Sequence, residues 1–103
     1  MNLNQITVPA LDVAASIKFY KTLGLKLIVE SLPHYARFVC PDGNSTFSIH
    51  QTKQLAKGEG IYVYFECKNL DEQVDKLKQK GLVFELEPTN QRWLWREARL
   101  KDP

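Results

Sequence analysis

A chain of 103 residues, 44% hydrophobic and with a formal net charge of +2, has the size and composition of one compact domain able to fold around its own core. Its lysines and arginines are scattered, and Lys76, Lys78 and Lys80 share their stretch with Asp71, Glu72 and Asp75, so the basic residues read as a solvated face and not as a nucleic-acid footprint. No apolar run approaches membrane-spanning length, the N-terminus lacks the basic-then-apolar pattern of a secretory signal, and Cys40 and Cys67 stand apart without metal-clip spacing. The expectation is a cytoplasmic protein with two buried thiols, no disulfide, no membrane contact and no nucleic-acid partner.

Asn2–Val8 predicts a strand, ended by Pro9. Val13–Leu23 predicts a helix, with Asp12 as its N-cap and Gly24 just past its end. Lys26–Glu30 is a β-branched run, and His34–Cys40 is another, with Tyr35, Arg37 and Val39 on one face. Pro41-Asp42-Gly43-Asn44 is a strong turn signal. Thr46–Gln51 alternates Phe47 and Ile49 against Ser48 and His50, as a half-buried strand does. Thr52–Gly60 is polar, with two glycines, and reads as a connector.

After the connector the order restarts. Ile61–Phe65 predicts a strand, and Leu70–Lys80 a helix opened by Asn69 with Glu72 three residues on, as in a capping box. Leu82–Leu86 predicts a strand, Glu87–Gln91 a loop, and Arg92–Leu100 a strand with Trp93 and Trp95 on one face. The two halves align without a gap. Asp12 meets Asn69, the stripe Val13, Ile17 and Tyr20 meets Leu70, Val74 and Leu77, and Gly24-Leu25 meets Gly81-Leu82. The same offset carries Gln5-Ile6-Thr7-Val8 onto Tyr62-Val63-Tyr64-Phe65. The first half passes through Pro41-Asp42-Gly43 into a fourth strand, and the second half stops at the corresponding Asp102-Pro103.

Two such βαβββ modules in tandem resemble the vicinal oxygen chelate superfamily of glyoxalases, bleomycin resistance proteins and extradiol dioxygenases. Asp12, Ser16, Phe19-Tyr20 and Leu23-Gly24 are similar to its D-x3-S-x2-FY-x2-LG helix. Pro41-Asp42-Gly43 before the fourth strand, Asn69-Leu70-Asp71 at the second helix, and Asp102-Pro103 at the end extend the likeness over the chain. The resemblance implies one α+β domain, with module one at residues 1–51, a connector at 52–60 and module two at 61–103. The modules form a curved mixed sheet with a cleft, helices outside, and the last strand of module two absent. In the superfamily the fourth strand of each module lies between its first and third. The resemblance therefore leaves Ile61–Phe65 and Arg92–Leu100 without a strand between them, to be filled by a continuation of the natural chain or by a second copy in a homodimer.

Enzymes of this superfamily hold a divalent metal on the cleft floor through His, Gln or Glu from the first and fourth strands of each module. The metal acts as a Lewis acid on two substrate oxygens. Here the matching positions are Gln5, Ser48 and Tyr62, none of them imidazole or carboxylate, with His50 two residues beyond Ser48. The analogy places Gln5, Thr7, Ser48, His50, Tyr62 and Tyr64 on the cleft faces of their strands, with Trp93 and Trp95 as aromatic neighbours. A concave sheet with aromatic rings and polar tips suits a flat organic molecule.

Three readings stay open. The first is a metal-free binding protein, without a cofactor, that sequesters an aromatic or cationic small molecule. The second is a metal-dependent lyase, isomerase or dioxygenase with a rearranged divalent site on Gln5 and His50. The third is an interaction module with no ligand. Each residue also has a plainer reading. His50 can serve only a neighbour or water, His34 faces solvent in a turn, and the aromatic residues can simply pack the sheet.

Overall fold

The computed structural model describes residues 1–103. The chain is α+β. Its elements are β1 (Gln5–Ala10), α1 (Val13–Leu23), β2 (Lys26–Ser31), β3 (Tyr35–Val39), β4 (Thr46–Gln51), α2 (Leu70–Gln79), β5 (Leu86–Asn90) and β6 (Arg96–Arg99). They divide into two compact units, Met1–Tyr62 with Pro103, and Val63–Asp102. No helix is long and apolar enough to cross a membrane.

The first unit is a four-stranded mixed sheet in the order β1-β4-β3-β2. β4 runs parallel to β1 and antiparallel to β3, so the fourth strand lies between the first and third as expected. β1 begins later than predicted and runs through Pro9. It is an edge strand, where a residue without an N–H costs no ladder bond on its open side.

α1 has the predicted bounds because its ends are both capped. The Asp12 carboxylate accepts from the Ala15 N–H over 3.0 Å. At the other end Gly24 sits at φ 116, and Leu25 N–H reaches back to the Tyr20 carbonyl over 3.0 Å while Gly24 N–H bonds Lys21. Its apolar stripe covers one face of the sheet. Val13, Ile17 and Tyr20 are buried with Ala36, Phe38, Phe47 and Ile49. The Tyr20 ring lies 4.5 Å from Phe47 and 5.8 Å from Phe38. Each large side chain buried here contributes about 1.5–3 kcal/mol.

The second unit is α2 with the β5–β6 hairpin. The C-terminal bonds of α1 recur at the aligned residues. Leu82 N–H reaches the Leu77 carbonyl over 3.1 Å, and Gly81, at φ 97, bonds Lys78. Val74 is buried, whereas Leu70 and Leu77 are only half-buried. The guanidinium of Arg96 grips the Asp71 carboxylate over 2.8 and 2.9 Å, and Lys78 Nζ meets Glu87 at 2.6 Å, so two ion pairs join α2 to the hairpin.

Several expectations for this half are corrected. Asn69 is left-handed, at φ 56, and its side chain makes no capping bond, because a side-chain N-cap needs the extended backbone that Asp12 has. No strand forms over Ile61–Phe65, since only β5 and β6 form a ladder in this unit and neither takes it as a neighbour. The strand expected at Leu82–Leu86 lies instead at Leu86–Asn90, across the expected loop. Pro88 is tolerated there because the register shifts between Leu86 and Thr89. The last strand starts only at Arg96. Gln91 N–H to Trp95 O and Leu94 N–H to Gln91 O close a turn with Leu94 at φ 71, so Trp93 lies within a turn and Trp95 at its end, and they do not share a strand face. The thiols are also less covered than expected, with Cys40 half-buried and Cys67 exposed.

Candidate functional site

The sheet of the first unit has two chemically different faces. Alternation turns Val8, Ala36, Phe38, Phe47 and Ile49 toward α1, and therefore turns Gln5, Thr7, Tyr35, Arg37, Thr46, Ser48 and His50 to the other side. The register arranges these polar residues in rows across three strands. Gln5 pairs with Thr46 and on to Val39; Thr7 with Ser48 and on to Arg37; Pro9 with His50 and on to Tyr35.

A hydrogen-bond network joins the first two rows. The Thr7 and Ser48 hydroxyls are 2.5 Å apart. Gln5 Nε2 donates to Ser48 Oγ over 3.2 Å, and Gln5 Oε1 accepts from the Thr46 hydroxyl over 2.8 Å. Ser48 is fully buried although its side chain is polar. Across β3, Arg37 donates its Nε–H to the Tyr35 phenol oxygen over 3.0 Å, with its guanidinium carbon 5.7 Å from the Tyr35 ring centre. The Ser48 hydroxyl, and after it the Arg37 guanidinium, hold the Tyr35 phenol below its ordinary pKa against the opposing effect of burial.

Of the residues expected from sequence, Gln5, Thr7 and Ser48 come together in this network. His50 is exposed at the end of the same face. It lies opposite Pro9, four residues along from the pairing of Gln5 with Thr46, or about 13 Å of strand. Gln5 and His50 are thus not gathered around one point. Tyr62 is exposed and donates its hydroxyl to Glu59 over 3.2 Å. In the second unit the Tyr64 and Trp95 rings meet edge to face at 5.9 Å, and Trp93 Nε1 donates to the buried Glu97 over 3.1 Å. The chain brings no three His, Cys, Asp or Glu side chains together.

Tyr35 and Arg37 are the site residues that sequence reasoning passed over. The signal was present, because the two share a strand face, and the turn at Pro41-Asp42-Gly43-Asn44 folds that strand back against Ser48 and His50.

The comparisons with known proteins agree on the architecture. A structure from Sphaerobacter thermophilus, described as a member of the glyoxalase/bleomycin resistance protein/dioxygenase superfamily, aligns with a TM-score of 0.80 and 18% identity over 100% of this chain and 90% of that one. The bleomycin resistance determinant of transposon Tn5 aligns at 0.77 and 17% identity, over 100% and 90% of the two chains. A lactoylglutathione lyase from Agrobacterium tumefaciens aligns at 0.78 and 17% identity, over 99% and 86%. At these identities the likeness establishes the fold alone, and no curated protein sequence matches the chain. The model of one family does match, over residues 2–103, and the chain belongs to that family, the Glyoxalase/Bleomycin resistance protein/Dioxygenase superfamily.

Proposed function

We propose that the chain is a small-molecule-binding protein that receives an aromatic organic molecule on the polar face of its first sheet, without a resident metal ion. The observation that carries this is the Gln5–Thr7–Ser48 network beside Tyr35 and Arg37, a set of ordered donors and acceptors on the face that α1 leaves uncovered. Small-molecule sites combine a firm wall with a few fixed polar groups of this kind. The donor chemistry favours a metal-free site. Gln5 and Ser48, which stand at the expected ligand positions, are neutral and already bonded to neighbours, and divalent ions in tight sites draw on imidazole, thiolate or carboxylate. Of the two ligand classes expected from sequence, the aromatic one is retained. A cation is disfavoured by Arg37 on the same face. A second copy of the chain is the proposed macromolecular partner.

The test is metal analysis of protein purified with zinc, manganese and iron in the buffer, joined to a thermal-shift screen of small aromatic compounds. The expected result is substoichiometric metal together with a rise in Tm for some of the compounds, since a ligand that binds only the folded state stabilises it. Near-stoichiometric metal, lost in His50→Ala, would overturn the reading in favour of a metal-dependent enzyme.

A further inference from the structure

Arg37 lies in β3, an inner strand of the first sheet, and is half-buried. Long cationic side chains in such places are normally paired, because a charge withdrawn from water without a counter-charge is costly. The ion pairs of the protein are Lys78–Glu87, Arg96–Asp71, Arg99–Glu97 and Lys101–Glu85, and Arg37 is in none of them. Its one hydrogen bond uses Nε, toward the Tyr35 phenol. Both terminal amino groups are left with donors that no protein acceptor takes up.

The rest of the face offers no counter-charge. The rows that run through Arg37 and its neighbours are Val29–Arg37–Ser48–Thr7 and Ser31–Tyr35–His50–Pro9, and none of these residues is a carboxylate. The row of Arg37 carries hydroxyls instead. Ser48 faces Arg37 across the β3–β4 ladder, and Thr7 follows on β1. In the Thr7–Ser48 pair one hydroxyl donates to the other, and Ser48 Oγ also lies 3.5 Å from the Ile6 carbonyl. The guanidinium is also held in place by the bond to Tyr35 and by its position over that ring. An oriented guanidinium with free terminal donors, in rows that carry hydroxyls and no carboxylate, has the chemistry of an oxyanion receptor.

We propose that Arg37 is a specificity-determining residue that takes an acidic oxyanion group, carboxylate or phosphonate, of the small organic ligand, with the exposed Thr7 on the same face. This rests on the reading of the polar face as the ligand site. It narrows the ligand from aromatic molecules in general to aromatic acids.

The test is calorimetric titration of the full chain with phenylacetate, with phenylphosphonate and with the uncharged phenylacetamide, at constant ionic strength. At least one acid is expected to bind about tenfold or more tightly than the amide, the margin of a charge-assisted guanidinium contact. Which acid is favoured identifies the oxyanion. Arg37→Gln should erase the margin between acid and amide, and Arg37→Lys, which keeps the charge but loses the fork, should retain part of it. Equal affinity of the acids and the amide for the unaltered protein overturns the oxyanion assignment and leaves the ligand site standing. This comparison needs no variant, so it holds even if Arg37→Gln folds poorly. Failure of all three probes, in protein that also ignores the aromatic panel, overturns the ligand site and this proposal with it.

Discussion

The hydroxyls of Thr7 and Ser48 meet at 2.5 Å across the parallel pair of β1 and β4, two residues that are far apart in sequence and lie on the sheet face opposite α1. Ser48 also accepts from Gln5 over 3.2 Å and is fully buried, so it is the node of the network, whereas exposed Thr7 adds only a longer contact with Gln5, at 3.5 Å. Removing the node strands more than one partner. Ser48→Ala should therefore destabilise the fold by about 1–2 kcal/mol, the net worth of two part-buried hydrogen bonds. Thr7→Ala, at an exposed position, should cost about 1 kcal/mol or less. Urea unfolding of both single variants and the double variant tests this. If the two effects simply add, the hydroxyls are not coupled and the network reading fails.

Tyr35 carries a signature of the same network. Its phenol is held below the ordinary value, first by Ser48 and then by Arg37. The ultraviolet absorbance of phenolate should thus show one tyrosine ionising before the ordinary value of about 10 is reached. Ser48→Ala should return that transition toward the ordinary value, and Arg37→Gln should do so to a lesser degree. The sign for stability follows from linkage. An acid with a lowered pKa in the folded state adds stability that is fully present above its unfolded pKa and is lost as pH falls through the folded value. Tyr35 therefore contributes nothing of this kind at neutral pH, and its effect belongs to the alkaline limb. A titration unchanged in Ser48→Ala would show that the Ser48 hydroxyl does not act on Tyr35.

The contrast between the two halves explains what could be read from sequence. α1 and β4 have the bounds expected of them because cap, apolar stripe and alternation all coincide there, and local and tertiary preferences agree. The C-terminal bonds at Leu25 and Leu82 were legible for the same reason, since each rests on one glycine. Ile61–Phe65 was not legible, because strand composition states only that a segment would suit a sheet, and pairing depends on a partner elsewhere. Pro88 and Asn90 read as a loop, yet a register shift accommodates the proline inside a hairpin. Trp93 and Trp95 were placed by alternation, which a left-handed residue between them invalidates. The site divides in the same way. Gln5, Thr7 and Ser48 followed from positional analogy, whereas Tyr35 and Arg37 emerge only once β3 is laid against β4.

Ser16 presents a simpler case. It is fully buried on the sheet side of α1, and its hydroxyl has no hydrogen-bond partner. A buried hydroxyl without a partner costs free energy, and serine is also a poorer helix former than alanine. Ser16→Ala should be neutral or stabilising by about 1 kcal/mol. Ser16→Val adds volume between helix and sheet and should destabilise by about 1–3 kcal/mol. Chemical denaturation distinguishes the two. A clear loss of stability in Ser16→Ala would mean that the hydroxyl has a partner after all.

The segment Ile61–Phe65 bears on self-association. Four of its five side chains are large and apolar, and Ile61, Tyr62, Tyr64 and Phe65 are 59%, 58%, 66% and 42% exposed. No strand ladder forms along it. A stretch of this composition that lies outside any ladder pairs readily with another strand. Such pairing would bury apolar area at about 25 cal/mol per Å². The chain is therefore expected to self-associate, with this segment in the contact. Light scattering across a range of concentrations should give a mass above that of one chain. Ile61→Lys with Tyr62→Lys, two changes at exposed positions that add charge along the segment, should shift the equilibrium toward the monomer without lowering Tm of the monomer itself. Tyr62 bonds Glu59 only at the surface, so little stability is lost with it. A protein that stays monomeric at every concentration, or an assembly that the double variant leaves intact, would show that the segment is not the contact.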